Sequence, residues 1–325
     1  MRRLVVLLAA LNLVACAHGG GAAPESSGTS EVGVQKAPPL TVEATPEARK
    51  AAAEADGLSR RGESEPSLPL YRVAWEGGVR TKDLAYNAAC AAALAKAPDE
   101  ALVWLGRAVD EGFDNAKHMK SDPDLVSLRE LPGYAPLEQK VATAEAKLYE
   151  AANPELRDEL LRRMDEDQEV RNALMASNFK DEAAKAKLRE VDARNTVWLK
   201  GIIAKAGWPG HEVVGVRGSF AAWLLVQHAD QDVAFQSEVL PMLEKAVARG
   251  EGSAKNLAYL TDRVAVNTGK PQRYGTQLEE VNGRMVPKTL EDPAGVDARR
   301  KAVGLGTLEE YIQGFERMRA ASQKP

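Results

Sequence analysis

Cysteine is almost missing from this chain: only Cys16 and Cys90 occur in 325 residues. Two thiols could make one pair at most, which is no disulfide framework. Long hydrophobic runs are missing too. The one apolar stretch, Leu4 to Val14, is well short of the roughly 20 residues a membrane-spanning helix needs. Aromatic residues make up only 5% of the chain. The 43 basic and 47 acidic side chains nearly balance at a net charge of −4, and no basic run is dense enough to bind a polyanion, so nucleic acid is excluded as a partner. There is no His-Glu-x-x-His, no cysteine pair, no Gly-x-Ser-x-Gly elbow and no phosphate loop. With four histidines scattered along the chain, neither a metal nor a cofactor is expected. Ser219 and Thr276 carry hydroxyls, but nothing in the sequence couples either to a base.

What is present begins at the N-terminus. Arg2 and Arg3 precede the apolar run, and small residues lead into a cysteine, the layout of a secretory signal. Leu13-Val14-Ala15-Cys16 resembles the lipobox of bacterial lipoproteins. That resemblance implies a signal peptide over 1–15, cleavage after Ala15 and a membrane lipid on Cys16, and hence a place in the cell envelope. Ala17 stands where an aspartate often retains such proteins at the inner membrane, which points to the outer membrane. Residues 16–66 are rich in Gly, Ser, Pro, Glu and Thr and read as a disordered tether, since they cannot bury enough apolar surface to offset chain entropy. Glu47 to Glu63 is helix-permissive within it. His18 is then a solvated tether residue.

The expected fold class is mainly α: a helix-pair module followed by a helical domain with one short β-hairpin. In the module, residues 67–152, Asp83–Ala95 is alanine-rich and of helix length. Pro98-Asp99-Glu100 opens a second helix, and Gly112 ends it. Ala89, Ala101, Leu105 and Ala108 follow the small-small-large-small spacing of a tetratricopeptide repeat, which this block resembles, although Ala92 replaces the expected aromatic. The resemblance implies stacked helix pairs with a concave face for a protein or peptide partner; a plain packing module is the alternative. Cys90 reads as small core filler, and His118 as a surface residue of a short connecting helix.

In the helical domain, residues 153–325, Leu156, Leu160, Leu161 and Met164 mark one amphipathic helix. Leu188, Val191, Trp198, Leu199, Ile202 and Ile203 mark another, ended near Gly207-Trp208-Pro209-Gly210. The segment from Ser219 is apolar on all sides, as a centrally buried helix is. Ala254–Val266 is a further helix. Asn282-Gly283 signals a type I′ hairpin, and Thr307 with Glu310 a capping box. Several strings stand in order: Gly207-Trp208-Pro209, Gln227-His228-Ala229-Asp230, Leu260-Thr261-Asp262-Arg263, Gln272 to Gln277, and Glu291-Asp292-Pro293. They resemble an uncharacterised bacterial family known only as a domain of unknown function, over nearly the whole domain. The resemblance implies no established activity, cofactor or catalytic residue, and gives no fixed histidine at His211.

Polar residues at buried positions define the candidate site. Asn195 lies on an inward stripe beside Asp192, and each needs a donor, for which Arg263, Arg299 and Arg300 are the candidates. His228, at the end of the buried helix, is the candidate acid or base, with Asp230 or Asp262 as partner. Gln227, Arg263, Gln272, Tyr274 and Gln277 are expected around it as ligand-binding groups, with Trp208 and Trp223 as apolar wall. The set suits a small polar ligand with a carboxylate or sugar-like hydroxyls. The expectation is a membrane-anchored binding protein; the alternative is an envelope hydrolase using His228. A closed polar core in which these groups satisfy one another is the plain structural alternative.

Overall fold

A computed structural model describes residues 44–177 and 179–322. The expected signal segment 1–15, the expected lipidation site Cys16 and residues 17–43 of the expected tether lie outside the described residues. The described chain is mainly helical with a single two-stranded hairpin, as the sequence pattern requires. It divides into two compact units, one ending at Leu148 and the other beginning at Tyr149. No helix among the described residues is long and apolar enough to cross a membrane.

The first unit comprises α1 (Pro46–Arg60), α2 (Ser64–Glu76), α3 (Lys82–Leu94), α4 (Pro98–Asp110), the short α5 (Ala116–Ser121), a 3₁₀ turn (Pro123–Leu128) and α6 (Tyr134–Leu148). Order begins earlier than the expected tether boundary at 66. The Thr45 hydroxyl accepts the Ala48 N–H at 3.1 Å, Pro46 occupies the first turn, and α1 buries Ala48, Ala51 and Ala55. A stripe of alanines adds little hydrophobicity to a composition count, yet it lets α1 lie close against α2. α3 and α4 form a second antiparallel pair across an alanine seam. Ala85, Ala88, Ala89 and Ala92 of α3 and Ala101, Leu105 and Ala108 of α4 are all fully buried. Tyr86 stacks on Phe113 with ring centroids 4.2 Å apart, joining the second pair to the loop beyond it.

The second unit comprises α7 (Pro154–Ala176), α8 (Glu182–Ala206), α9 (His211–Gln227), α10 (Val233–Ala248), α11 (Ala254–Asn267), the strands β1 (Leu278–Val281) and β2 (Arg284–Pro287), α12 (Val296–Ala302) and α13 (Leu308–Ser322). α9 is the central helix: every residue from 221 to 229 is buried, and α7, α8, α10 and α11 pack around it. Its first turn breaks from the rest at Gly215, whose φ of 71° only glycine adopts without strain. Asn282 and Gly283 both take positive φ, 51° and 80°, giving the type I′ turn between β1 and β2. The capping box at α13 forms in both directions: Glu310 accepts the Thr307 N–H at 2.8 Å, and Thr307 accepts the Glu310 N–H at 3.2 Å. Leu278 and Met285 of the hairpin bury against Phe315 of α13.

Candidate functional site

The buried polar residues of the second unit form two hydrogen-bonded networks. The first lies where α7 and α8 meet the end of α9. His228 caps α9 and is almost fully buried. Its Nδ1 lies 2.9 Å from an Asp167 carboxylate oxygen. A carboxylate only accepts, so Nδ1 carries the proton and donates. The Arg171 Nε–H lies 3.1 Å from Nδ1 and 3.4 Å from Nε2, and of the two only the unprotonated Nε2 can accept. Arg171 also donates through Nη2 to Asp192 at 2.9 Å. One step along α7, Arg163 donates to Glu159 at 2.8 Å and to Asn195 at 3.0 Å, and its guanidinium stacks 4.1 Å from the Trp198 ring centroid.

Two sequence expectations are corrected here. The partner of His228 is Asp167, not Asp230 or Asp262. The donors to Asp192 and Asn195 are Arg171 and Arg163, not Arg263, Arg299 or Arg300. Both substitutions have one cause: α7 carries charge on every face, so its buried side was not separable by composition. The arginines first considered are used elsewhere. Arg299 donates to the Arg273 carbonyl and to Asp292, while Arg300 donates to the Gly306 and Tyr274 carbonyls.

Electrostatics follow from this packing. Burial, and next the positive charge of Arg171, push His228 below the ordinary imidazole range, so the ring is neutral near pH 7. Burial works against the Asp167 carboxylate, but the hydrogen bonds and charges around it hold it below the usual range. Asp192 behaves oppositely. Burial, reinforced by the charge of Asp167 and opposed by Arg171, pushes it up to about 7.

The second network does gather several expected residues. Arg263 forks onto Asp230, with Nε 2.8 Å from one oxygen and Nη2 paired with the other, and donates to the Gln277 side-chain carbonyl at 3.3 Å. Gln236 and Asn267 add donors to Asp230 at 3.3 and 3.1 Å. Gln277 donates to the Thr276 hydroxyl, and that hydroxyl donates to Asp262 at 2.9 Å. Asp262 also accepts the backbone N–H groups of Arg273, Tyr274 and Thr276. Gln272 donates to the carbonyls of Gln277 and Lys288 and accepts the Gln277 N–H, each at 2.8 Å.

Asp262, Gln272 and Thr276 are therefore spent on shaping the loop ahead of β1. Tyr274 joins through its backbone, and its ring lies 5.9 Å from the Arg273 guanidinium. Asp230 keeps two-fifths of its side chain in solvent. His228 is not bonded to this network, although the charge of Arg263 adds to that of Arg171 in keeping it neutral. Trp223 and Trp208 belong to the apolar core of the unit. His211 lies at the start of α9, its Nδ1 3.1 Å from the Gly250 carbonyl oxygen.

A few buried polar atoms of the second unit have no protein partner among the described residues. Both ends of the Gln227 amide are unpaired, as are Arg171 Nη1, Asn195 Nδ2 and the indole nitrogens of Trp208 and Trp223. Gln227 is only 2% exposed. Native proteins leave few such groups, so each calls for an explanation.

Asp167 and Arg171 were missed by the sequence reading, yet a signal existed. Leu160, Met164, Asp167, Arg171 and Leu174 recur at three- and four-residue steps, so the two charges interrupt an apolar stripe. Residues 154–322 match the model of a family of unknown function, DUF6624. No curated protein and no solved structure matches the chain.

Proposed function

The chain belongs to the DUF6624 family of unknown function, and we propose that it is a lipid-anchored envelope protein whose family domain binds a small oxygen-bearing ligand without turning it over. One observation carries the binding reading: Gln227 is buried with neither end of its amide satisfied. Leaving such a group unpaired costs about 1–3 kcal/mol. Arg171 Nη1 and Asn195 Nδ2, in the network around α7 and α8, are likewise unpaired. The unpaired donor and acceptor of the Gln227 amide suit carbonyl, carboxylate or hydroxyl groups. The pairing of His228 with Asp167 and of Asp230 with Arg263 supports binding over catalysis, because neither residue is left free to take a proton.

The anchor rests on Leu13-Val14-Ala15-Cys16, and the outer membrane on Ala17. The repeat-like first unit supplies the face for a protein or peptide partner. A cavity of about 360 Å³ there is lined by Trp75, Trp104 and Arg107, with Arg107 4.3 Å from the Trp104 ring centroid, and Trp and Arg dominate binding hot spots.

The ligand reading is tested by thermal-shift screening of the purified chain against amino acids, dicarboxylates and N-acetyl amino sugars. At least one class should raise Tm, and Gln227→Leu should abolish that rise while leaving the unliganded protein as stable or more so. A rise that survives Gln227→Leu, or no rise with any class, overturns the proposed site. For the anchor, Cys16→Ser should leave an unacylated precursor outside the detergent-extracted membrane fraction; acylated product from that variant refutes it. One observation favours a second reading, an envelope hydrolase. Asp192, at about 7, is half protonated at neutral pH, as a general acid needs to be. Turnover of an envelope substrate, lost in both Asp192→Asn and His228→Ala with the fold intact, would replace binding by catalysis.

A further inference from the structure

Cys90, expected to be core filler, packs against the apolar core of the first unit and also meets a carboxylate. It is half buried, and its Sγ lies 3.7 Å from the Asp122 Oδ2 atom. Asp122 follows α5 and caps the 3₁₀ turn, accepting the Asp124 N–H at 3.0 Å through its other oxygen. Ligand atoms of Cys90, Asp122 and Asp124 all fall within 4.8 Å of one another. On the solvent side His118, one helical turn before Asp122, places Nε2 3.4 Å from the same Oδ2. All four residues line one cavity of about 240 Å³, whose other walls include Asp56 and Arg60 of α1 and Tyr71 of α2.

We propose that Cys90, Asp122, Asp124 and His118 form a binding site for a divalent transition metal, of which zinc is the best fit. Around zinc, with bonds of about 2.1 Å to oxygen and nitrogen and 2.3 Å to sulfur, tetrahedral ligands stand about 3.4 Å apart for O and N and about 3.6 Å apart for O and S. The observed separations are 3.4 Å for His118 to Asp122 and 3.7 Å for Cys90 to Asp122. His118 stands outside the close group of Cys90, Asp122 and Asp124 and, half exposed, would join it by side-chain rotation. One thiol, one imidazole and two carboxylates make a mixed set that favours zinc or cobalt over magnesium or calcium, which take oxygen alone.

The surroundings also suit a cation. The Tyr86 hydroxyl donates to Asp122 Oδ2 at 2.9 Å, orienting the carboxylate as outer-shell donors do around metals. Tyr86 is in turn fixed by its stack on Phe113 and lies 5.2 Å from the His118 ring. A dication among Cys90, Asp122 and Asp124 turns the crowding of their ligand atoms into attraction. On binding, the Cys90 thiol gives its proton to solvent and the thiolate sulfur donates its pair to the metal. The site uses no residue of the family domain, so it stands or falls apart from the ligand reading.

The test is titration of cobalt(II) into the full chain after chelator treatment. One equivalent should produce a thiolate-to-cobalt charge-transfer band in the near ultraviolet, and zinc should displace it. The band should persist in Cys16→Ser and vanish in Cys90→Ser. Asp124→Asn should weaken binding at least about tenfold, the scale seen when groups around a metal are removed, and His118→Ala should weaken it measurably. Circular dichroism checks that each variant folds. A band that survives Cys90→Ser, unchanged affinity in both Asp124→Asn and His118→Ala, or no band at all overturns the site.

Discussion

Where α3 meets α4 the first unit closes with alanine: Ala85, Ala88, Ala89, Ala92, Ala101 and Ala108 are all fully buried. The second unit closes around charge. Arg163, Asp167, Asn195, His228, Asp262, Arg263 and Arg300 are all buried there, most of them on helices that also carry the apolar core. Alanine seams fix how closely two helices approach and little else. Buried ion pairs tolerate one arrangement of partners, because any other leaves a charge unmatched in a medium that does not solvate it. Their cost is high and their gain is positional. In the second unit that gain is a rigid frame around His228, Gln227 and Asp192.

If that contrast is right, breaking a charge should hurt most. Asp167→Ala strips His228 and Arg171 of their shared acceptor and should cost about 3–5 kcal/mol. Denaturant unfolding followed by tryptophan fluorescence measures it, and a loss below about 1 kcal/mol would contradict the account. Asp192→Asn should act through pH. An unfolded aspartate titrates near pH 3.9, whereas folded Asp192 titrates at about 7. Between those values the folded state holds the extra proton, so the stability from Asp192 is full near pH 4 and is lost as pH rises to about 7. The asparagine does not titrate. Its advantage over the parent should therefore grow across that window, to at most about 4 kcal/mol. A stability difference that stays flat from pH 4 to 7 would show that Asp192 is not held protonated. His228, displaced the other way, loses stabilisation as pH falls below its ordinary range in both proteins.

The α3–α4 seam should answer to volume and not to charge. Ala89→Leu forces three extra carbons into a filled seam and should cost about 1–3 kcal/mol at every pH; a pH-dependent loss would mean the seam is not apolar. The smallest effect is expected at the hairpin. Gly283→Ala places a side chain at φ 80° in an otherwise open turn and should cost about 1 kcal/mol in the same unfolding measurement. A neutral result would show that β1 and β2 do not need the type I′ geometry.

Local rules made much of the fold legible. Pro98 and Gly112 bracket α4, Asn282-Gly283 marks the hairpin, and Thr307 with Glu310 marks α13, because each acts on its own neighbours. α1 was legible only as helix-permissive. Its burial depends on α2 lying against it, which no local signal reports. The buried polar residues were legible as such, and their pairing was not. Asp230, Arg263, Gln277 and Asp262 do come together, but the residue that holds His228 is 61 positions away on a helix whose charges look solvated. Sequence spacing identifies a buried polar group; only the packing of α7 on α9 decides which partner meets it.

Asp262 has a consequence for time as well as for shape. One carboxylate on α11 collects three amide hydrogens that lie eleven to fourteen residues further on. Those amides have no strand or helix of their own to hold them. The loop from 272 to 277 therefore sets only after α11 is in place, and it opens only when α11 gives way. Deuterium uptake at Arg273, Tyr274 and Thr276 should be as slow as at the centre of α11, although the three sit in a segment without regular structure. The hairpin that follows hangs from a clasp that closes late and releases late.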